Sequence, residues 1–129
     1  MQTESNSQAI ATVEEVQRAR LRVRDDKLQA LDLPILRVFC ASPNNSLTAT
    51  ALAGAVGLSS WNKSNLRFGM LAQRIGKALG YRPTTRKDGT TRWWESAALG
   101  SAADDSDAAN FQWTLRPELV EALRRMRWI

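Results

Sequence analysis

The order of elements in residues 47–94 restricts the fold more than any other feature of the chain. Residues 48–58 form an alanine-rich segment that Gly57 can end, because glycine adopts the left-handed conformation of a helix C-terminus without a steric penalty. The serines that follow can cap a second helix over 61–79. Its apolar residues recur at the spacing of one buried face: Phe68, Leu71, Ile75 and Leu79. The pattern predicts two helices joined by a tight turn.

The helical period stops after Gly80, and the sequence then predicts strands. The pair Asp88-Gly89 separates residues 81–85 from residues 90–97, which is a strong hairpin signal. If 90–97 is a strand, Trp93 and Trp94 point to opposite faces. Residues 110–115 alternate apolar and polar side chains, so we expect a half-buried strand that pairs with residues 91–97.

The predicted fold class is therefore α+β: a winged helix-turn-helix with a three-helix core and a small antiparallel sheet. The three core helices are 34–41, 48–56 and 61–79, and Pro117 begins an additional C-terminal helix. We expect ten side chains to share one core: Phe39, Leu52, Val56, Phe68, Leu71, Ile75, Trp113, Leu115, Leu119 and Leu123. Trp128 and Ile129 are apolar enough to fold back on the domain.

The N-terminal part divides into a disordered tail over 1–11 and a long helix over 12–33, which precede the winged-helix domain over 34–129. Thr12 and Glu15 have the spacing of a capping box, which marks the start of the helix. The apolar stripe of this helix is split. Packing on the core and a homodimer or partner interface both stay open as its role.

Basic residues are concentrated in the central motif. Residues 61–94 contain eight lysines and arginines against one acid, Asp88, whereas the whole chain has a formal net charge of +5. Such a concentration favours a polyanionic partner. A solvated basic face is the alternative.

The absence of histidine and the single cysteine, Cys40, exclude zinc sites of the usual kinds, Ser-His-Asp triads and Cys-His pairs. The aspartates at 104, 105 and 107 lack the glycine and closing glutamate of a calcium loop, so we expect a solvated loop. We predict no catalytic activity, no metal and no cofactor. Nothing resembles a membrane span or a signal peptide, which predicts a cytoplasmic protein. We also expect the thiol of Cys40 to be buried and unreactive.

Double-stranded DNA is the expected partner. The first turns of a recognition helix face the bases, which selects five candidates at its start: Asn62, Lys63, Ser64, Asn65 and Arg67. Asparagine amides suit the adenine edge and arginine the guanine edge. The remaining candidates are cations that reach phosphate, on the helix or on the predicted wing over 82–92: Arg74, Lys77, Arg82, Arg86, Lys87 and Arg92.

Three segments carry a resemblance to a known family: NLRFGMLAQRIGKALGYRP, RKDGTTRWW and FQWTLRPELVEALRRMRWI. Together they resemble a small prokaryotic winged-helix-like domain that occurs alone or beside HNH-type nucleases in defence-related proteins. The resemblance implies a nucleic-acid-recognition or accessory role in phage and host conflict, and the basic helix-turn-helix motif itself also suits a DNA-binding regulator. The resemblance brings no nuclease motif, since an HNH motif needs histidine. The alternative is a protein-interaction module, such as a phage-type inhibitor or an accessory subunit of a nucleic-acid-guided defence complex.

Overall fold

The computed structural model describes residues 9–19, 31–100 and 111–129. Within these ranges the chain forms five helical segments and a three-stranded antiparallel sheet, which confirms the α+β class. The helices are α1 (residues 13–19), α2 (Asp32–Ala41), α3 (Ala49–Val56), α4 (Trp61–Leu79) and α5 (Pro117–Arg125). The strands are β1 (Ser46–Thr48), β2 (Ala98–Gly100) and β3 (Gln112–Leu115), and short 3-10 helices cover Pro43–Asn45 and Trp93–Ser96.

Local signals fix the ends of α3 and α4 where the sequence predicts them. The Thr48 hydroxyl accepts from the Ala51 N–H at the start of α3, and the Ser60 hydroxyl accepts from the Lys63 N–H at the start of α4. Gly57 and Gly80 end the two helices with φ angles of 77° and 73°, which only glycine adopts freely.

The capping box at Thr12 is also confirmed. The Thr12 N–H donates to Glu15 Oε1 at 2.8 Å, and the Glu15 N–H donates to Thr12 Oγ1 at 3.0 Å. These hydrogen bonds lower the pKa of the Glu15 carboxyl. The predicted helix over 12–33 is confirmed for residues 13–19, and residues 20–30 lie outside the described residues. Its predicted end is wrong, because Asp32 and Leu33 already form the first turn of α2, two residues before the predicted start at Pro34. The Ile10 N–H donates to Glu118 Oε2 at 3.0 Å, so the end of the expected tail is attached to α5.

The predicted sheet is wrong in its partners. The strand order is β1-β3-β2, with β3 in the centre, and Leu47 pairs with Trp113. β3 therefore pairs with Ala98–Gly100 and Ser46–Thr48 rather than with residues 91–97. The predicted strands over 81–85 and 90–97 reduce to one bridge between Thr85 and Thr91. Because Trp93–Ser96 is a 3-10 helix, Trp93 and Trp94 do not alternate as they would on a strand.

The core brings the helices and the sheet together. Nine of the ten predicted side chains are buried, and Val56 is partly buried against them. Three rings lie at the centre, with the Phe68 centroid 5.1 Å from Phe39 and 4.6 Å from Trp113. Cys40 is half-buried, and burial raises the pKa of its thiol. No helix in the described ranges is long and apolar enough to cross a membrane.

The C-terminus folds back as predicted for Trp128. Its side chain packs against the core, and its carbonyl oxygen accepts from Arg37 Nε at 2.9 Å. Ile129 is 41% exposed. Arg125 of α5 donates to Glu14 at 3.0 Å, so α1 and α5 are linked at the surface.

Two glycines of α4 give a matched test of the packing between this helix and Trp93–Ser96. A Cβ on Gly76 would collide with Ser96 Oγ and lie 3.0 Å from Ser96 Cβ, whereas a Cβ on Gly69 would meet nothing within 4 Å. We expect Gly76→Ala to lower the free energy of unfolding by about 1–3 kcal/mol through overpacking. Gly69→Ala should raise it by about 0.5–1 kcal/mol because alanine favours the helix. Urea denaturation of both variants checks this; equal effects of the two substitutions would contradict it.

Candidate nucleic-acid interface

One face of α4 is in the core and the opposite face is accessible. The helix buries Phe68, Leu71 and Ile75 against α3 and the sheet, together with Ser64, Ala72 and Gly76. Four of the predicted contact residues on this helix are exposed: Asn62, Lys63, Arg67 and Lys77. Asn65 is partly exposed at the edge of this face. The accessible face of α4 therefore presents amides and cations, as the sequence predicts.

The first turn of α4 carries a cation where an acidic residue would stabilise the helix, and this charge pattern favours an anionic ligand. A helix N-terminus carries a partial positive charge, which acidic residues in the first turn usually offset. The first turn of α4 has no acidic residue, and Lys63 lies there instead. The helix dipole and Lys63 consequently add up to positive potential, which suits phosphate.

Residues 82–92, which we call the basic turn, are held by their own hydrogen bonds. The Arg86 N–H donates to the Thr90 carbonyl at 2.7 Å, and Gly89 has a φ of 91°. Asp88 Oδ1 accepts from the Thr90 N–H at 2.9 Å and from its hydroxyl at 2.7 Å. These bonds lower the pKa of Asp88. The turn is thus a defined structure that presents Arg82 and Lys87 as exposed cations.

The two other arginines of the basic turn also stabilise it. Arg86 Nη1 donates to the Thr91 carbonyl at 3.1 Å. Arg92 Nη1 donates to the Thr85 carbonyl and to the Thr84 hydroxyl, each at 3.0 Å. Both residues are partly buried as a whole. Removing either side chain would loosen the turn as well as remove a charge, so Lys87 is the cleaner position for a charge substitution.

Two predicted contact residues have structural roles instead. Ser64 is fully buried, and its hydroxyl donates to the Ala49 carbonyl at 2.5 Å, with the Trp61 carbonyl oxygen 3.0 Å from the same hydroxyl oxygen. Arg74 Nη2 lies 2.6 Å from Asp32 Oδ2 and 2.7 Å from Oδ1, and the Asp32 side chain is 4% exposed. The first links α3 to α4 and the second links α2 to α4, so we remove both from the interface.

Lys77 has both a structural role and a place on the accessible face of α4. Its Nζ is 5.8 Å from the centroid of the Trp93 ring, within the range of a cation–π contact. The side chain is exposed. It therefore contributes charge to the accessible face while it covers the aromatic 3-10 helix.

Two neighbouring cavities lie between α4 and the basic turn. The larger, which we call the aromatic cavity, measures about 380 Å³, and seven residues line it: Asn65, Arg86, Asp88, Thr90, Trp94, Phe111 and Trp113. The smaller, the helix-side cavity, measures about 230 Å³, and its lining includes Leu66, Gly69, Met70 and Gln73 of α4. Asn65, Arg86 and Trp94 line both cavities. The predicted recognition helix and the predicted basic turn thus border one continuous cleft.

Sequence reasoning missed the aromatic and apolar parts of this cleft. Trp94 and Phe111 pack together with their ring centroids 5.1 Å apart. Their approach depends on Gly100, since a Cβ there would lie 2.6 Å from Trp94 Cη2. On α4, Leu66 is 61% exposed and Met70 is 42% exposed. The spacing of Leu66 and Met70 by four residues marks a helix face, and that was the one signal in the sequence that pointed to them.

Comparisons with family models, curated proteins and solved structures find no match to this chain. Within the described ranges, no group of three or more acidic, cysteine or histidine side chains is placed to hold a metal ion. The aspartates at 104, 105 and 107 lie outside those ranges. The case for a function therefore rests on the geometry of the cleft and its charges.

Proposed function

We propose that this protein binds nucleic acid, with double-stranded DNA as the primary ligand, through the accessible face of α4 and the basic turn. One observation carries the proposal: the cleft between these elements has Asn65 of α4 and Arg86 of the turn in both of its cavities. α4 and the basic turn also carry five exposed cations, Lys63, Arg67, Lys77, Arg82 and Lys87. Neutralisation of phosphates by such cations supplies most non-specific affinity for DNA.

The winged helix-turn-helix is part of the same proposal, with a revised wing. The order α2, β1, α3, α4, β2, β3 and the sheet order β1-β3-β2 are those of a winged-helix domain. In that fold the wing joins β2 to β3; residues 101–110, which connect these strands here, contain three aspartates and lie outside the described residues. The basic turn is then an insertion between α4 and β2. The duplex would be held by α4 and this insertion.

The resemblance to prokaryotic defence-related domains also suggests the biological process in which the protein would bind DNA. On that basis the protein recognises DNA in a regulatory system or in phage and host conflict, and the recognition step requires no catalytic group.

We expect a division of labour between the helix and the turn. Asn65→Ala or Arg67→Ala should change the preference among duplexes, because each good bidentate contact to a base gives about 1–3 kcal/mol of discrimination. Lys87→Ala should weaken binding to all sequences alike and flatten the salt dependence by about one unit of slope, since it removes one phosphate contact. Fluorescence anisotropy with a panel of labelled duplexes measures both effects.

The matched control is Arg124→Ala on α5. Arg124 is an exposed cation paired with Glu121 at 2.8 Å, so its removal changes the net charge by the same amount at a distant element. It should leave the affinity for every duplex unchanged. Parallel titrations with single-stranded DNA and RNA decide which form of nucleic acid is preferred. Loss of affinity in Arg124→Ala equal to that in Lys87→Ala would show that only overall charge matters.

A protein partner is the second candidate, and the exposure of Leu66 and Met70 favours it. Apolar side chains four residues apart are the anchors with which a helix lays one face into an apolar groove of a partner. The same cations would then face an acidic partner. Under this alternative, Leu66→Ala and Met70→Ala abolish partner capture, and nucleic acid does not bind at low salt. Under the DNA proposal, nucleic acid binds and the two substitutions reduce affinity less than Lys87→Ala does.

A further inference from the structure

We infer that the aromatic cavity is a binding site for one unpaired purine or pyrimidine base. This inference rests on the proposed function, since the base would belong to a nucleic acid held by α4 and the basic turn. A free nucleotide carries the same heterocycle and is the other source that the experiment must distinguish. The inference adds to phosphate binding a site that recognises a base outside the duplex stack.

The walls of the cavity supply aromatic surface. Trp94 and Phe111 line it, and both are only partly buried. Their rings are tilted by 58° to each other with centroids 5.1 Å apart, so they do not cover each other as parallel faces. Aromatic side chains with accessible faces are the platforms on which proteins stack unpaired bases.

Polar groups of several kinds surround this aromatic surface. Asn65 offers an amide donor and an acceptor, Asp88 offers a carboxylate, and Arg86 offers a guanidinium at the mouth shared with the helix-side cavity. Because the pKa of Asp88 is lowered by its bonds from Thr90, the group is an acceptor at neutral pH. The edges of a base carry both donors and acceptors, whereas an acyl chain carries neither and a phosphate only acceptors. The lining therefore suits a heterocycle best.

Trp113 adds an independent observation. It lines the cavity and is 2% exposed, and its Nε1 has no hydrogen-bond partner among the described residues. A buried donor without a partner is uncommon in folded proteins and calls for an explanation. The Nε1 atom is itself buried from solvent, so it would serve an occupant as a donor only after a movement of the ring. The cavity volume of about 380 Å³ is within the range of small-molecule sites, about 300–1,000 Å³.

The test compares three labelled DNA duplexes of the same sequence and length. One is fully paired, one has a single bulged nucleotide, and one has an abasic residue at the bulge, which keeps the phosphate and removes the base. We expect the wild-type protein to bind the base-bearing bulge at least about fivefold more tightly than the abasic bulge, the factor that loss of one stacked base implies. Trp94→Leu and Asn65→Ala should each reduce this ratio toward one.

Asn65→Ala keeps the test decisive if Trp94→Leu fails to fold, because Asn65 is on the solvent side of α4 and is not a member of the core. Lys87→Ala is the matched control: it should weaken binding to both bulged duplexes by the same factor and leave the ratio intact. Competition with adenosine and uridine monophosphates separates the two sources. If these nucleotides displace the base-bearing bulge selectively, the cavity binds the heterocycle from either source.

The outcomes distinguish the two proposals. If the paired and bulged duplexes all bind but the base-bearing and abasic bulges bind equally, the base site is refuted and the nucleic-acid proposal stands. If a mononucleotide binds in a Trp94-dependent manner and no DNA binds, the base site stands and a free nucleotide is its ligand. If neither DNA nor a mononucleotide binds at low salt, both proposals fail.

Discussion

Asp32→Ala is expected to lower the free energy of unfolding by about 3–5 kcal/mol, because it leaves the Arg74 guanidinium buried without its carboxylate. The Asp32 side chain is 4% exposed and that of Arg74 17%, and both carboxylate oxygens lie within 2.7 Å of Arg74 Nη2. The pair joins the start of α2 to α4, so its loss should loosen the packing of α4. Urea denaturation followed by circular dichroism measures the change.

Glu121→Ala is the matched control for this substitution. It removes a carboxylate from ion pairs with Arg124 and Arg125 on the surface of α5, where the arginines are 64% and 47% exposed. Exposed pairs contribute about 0–1 kcal/mol, so we expect a small change in stability. If Asp32→Ala were no more destabilising than Glu121→Ala, Arg74 would not depend on the pair and would return to the candidate interface.

Phe68→Ala is the second large effect, and we expect it to lower the free energy of unfolding by about 3–5 kcal/mol. Phe68 is fully buried, and its ring contacts Phe39 and Trp113 at the junction of α2, α4 and the sheet. Truncation removes these contacts and leaves a cavity that the surrounding rings cannot fill. Thermal and urea denaturation measure the change in stability.

Leu66→Ala provides the comparison on the same helix. Leu66 is 61% exposed, and surface substitutions usually change stability by no more than about 0.5 kcal/mol. A large loss of stability for Leu66→Ala would show that its side chain is covered in solution, which favours the protein-partner alternative. Equal effects at 66 and 68 would contradict the orientation of α4 on which the interface depends.

The helices of this protein could be predicted because their signals are local. Ser60, Gly80 and the apolar residues between them determine α4 through contacts within a few positions of the chain. The box formed by Thr12 and Glu15 works in the same way. These signals require no knowledge of where the rest of the chain lies, so the prediction of α4 and its accessible face was correct.

The sheet could not be predicted as well, because its pairings join distant parts of the chain. Leu47 pairs with Trp113, and β1 is too short at three residues to give an alternating pattern of its own. The aromatic sequence around Trp93 suggested a strand, yet the chain turns there in a 3-10 helix against Gly76. In this segment tertiary packing outweighed the β-propensity of the aromatic residues.

Site residues were misassigned for the same reason. Arg74 lies on a basic helix, and no local pattern shows that Asp32, 42 residues away, neutralises it. Ser64 follows the helix cap and is polar, but α3 covers it. Conversely, the aromatic cavity joins Asn65, Trp94 and Phe111 from three separate segments. A site built from such distant residues has no signature in the sequence.

The salt dependence of DNA binding by the wild-type protein tests the central claim most directly. Each phosphate that the protein neutralises contributes about −0.9 to the slope of log affinity against log salt concentration. With five exposed cations on α4 and the basic turn, we predict measurable binding of a random duplex at about 50 mM salt and a slope of about −3 or steeper. A slope near zero, or no binding of duplex DNA at that concentration, would contradict the claim that α4 and the basic turn hold nucleic acid.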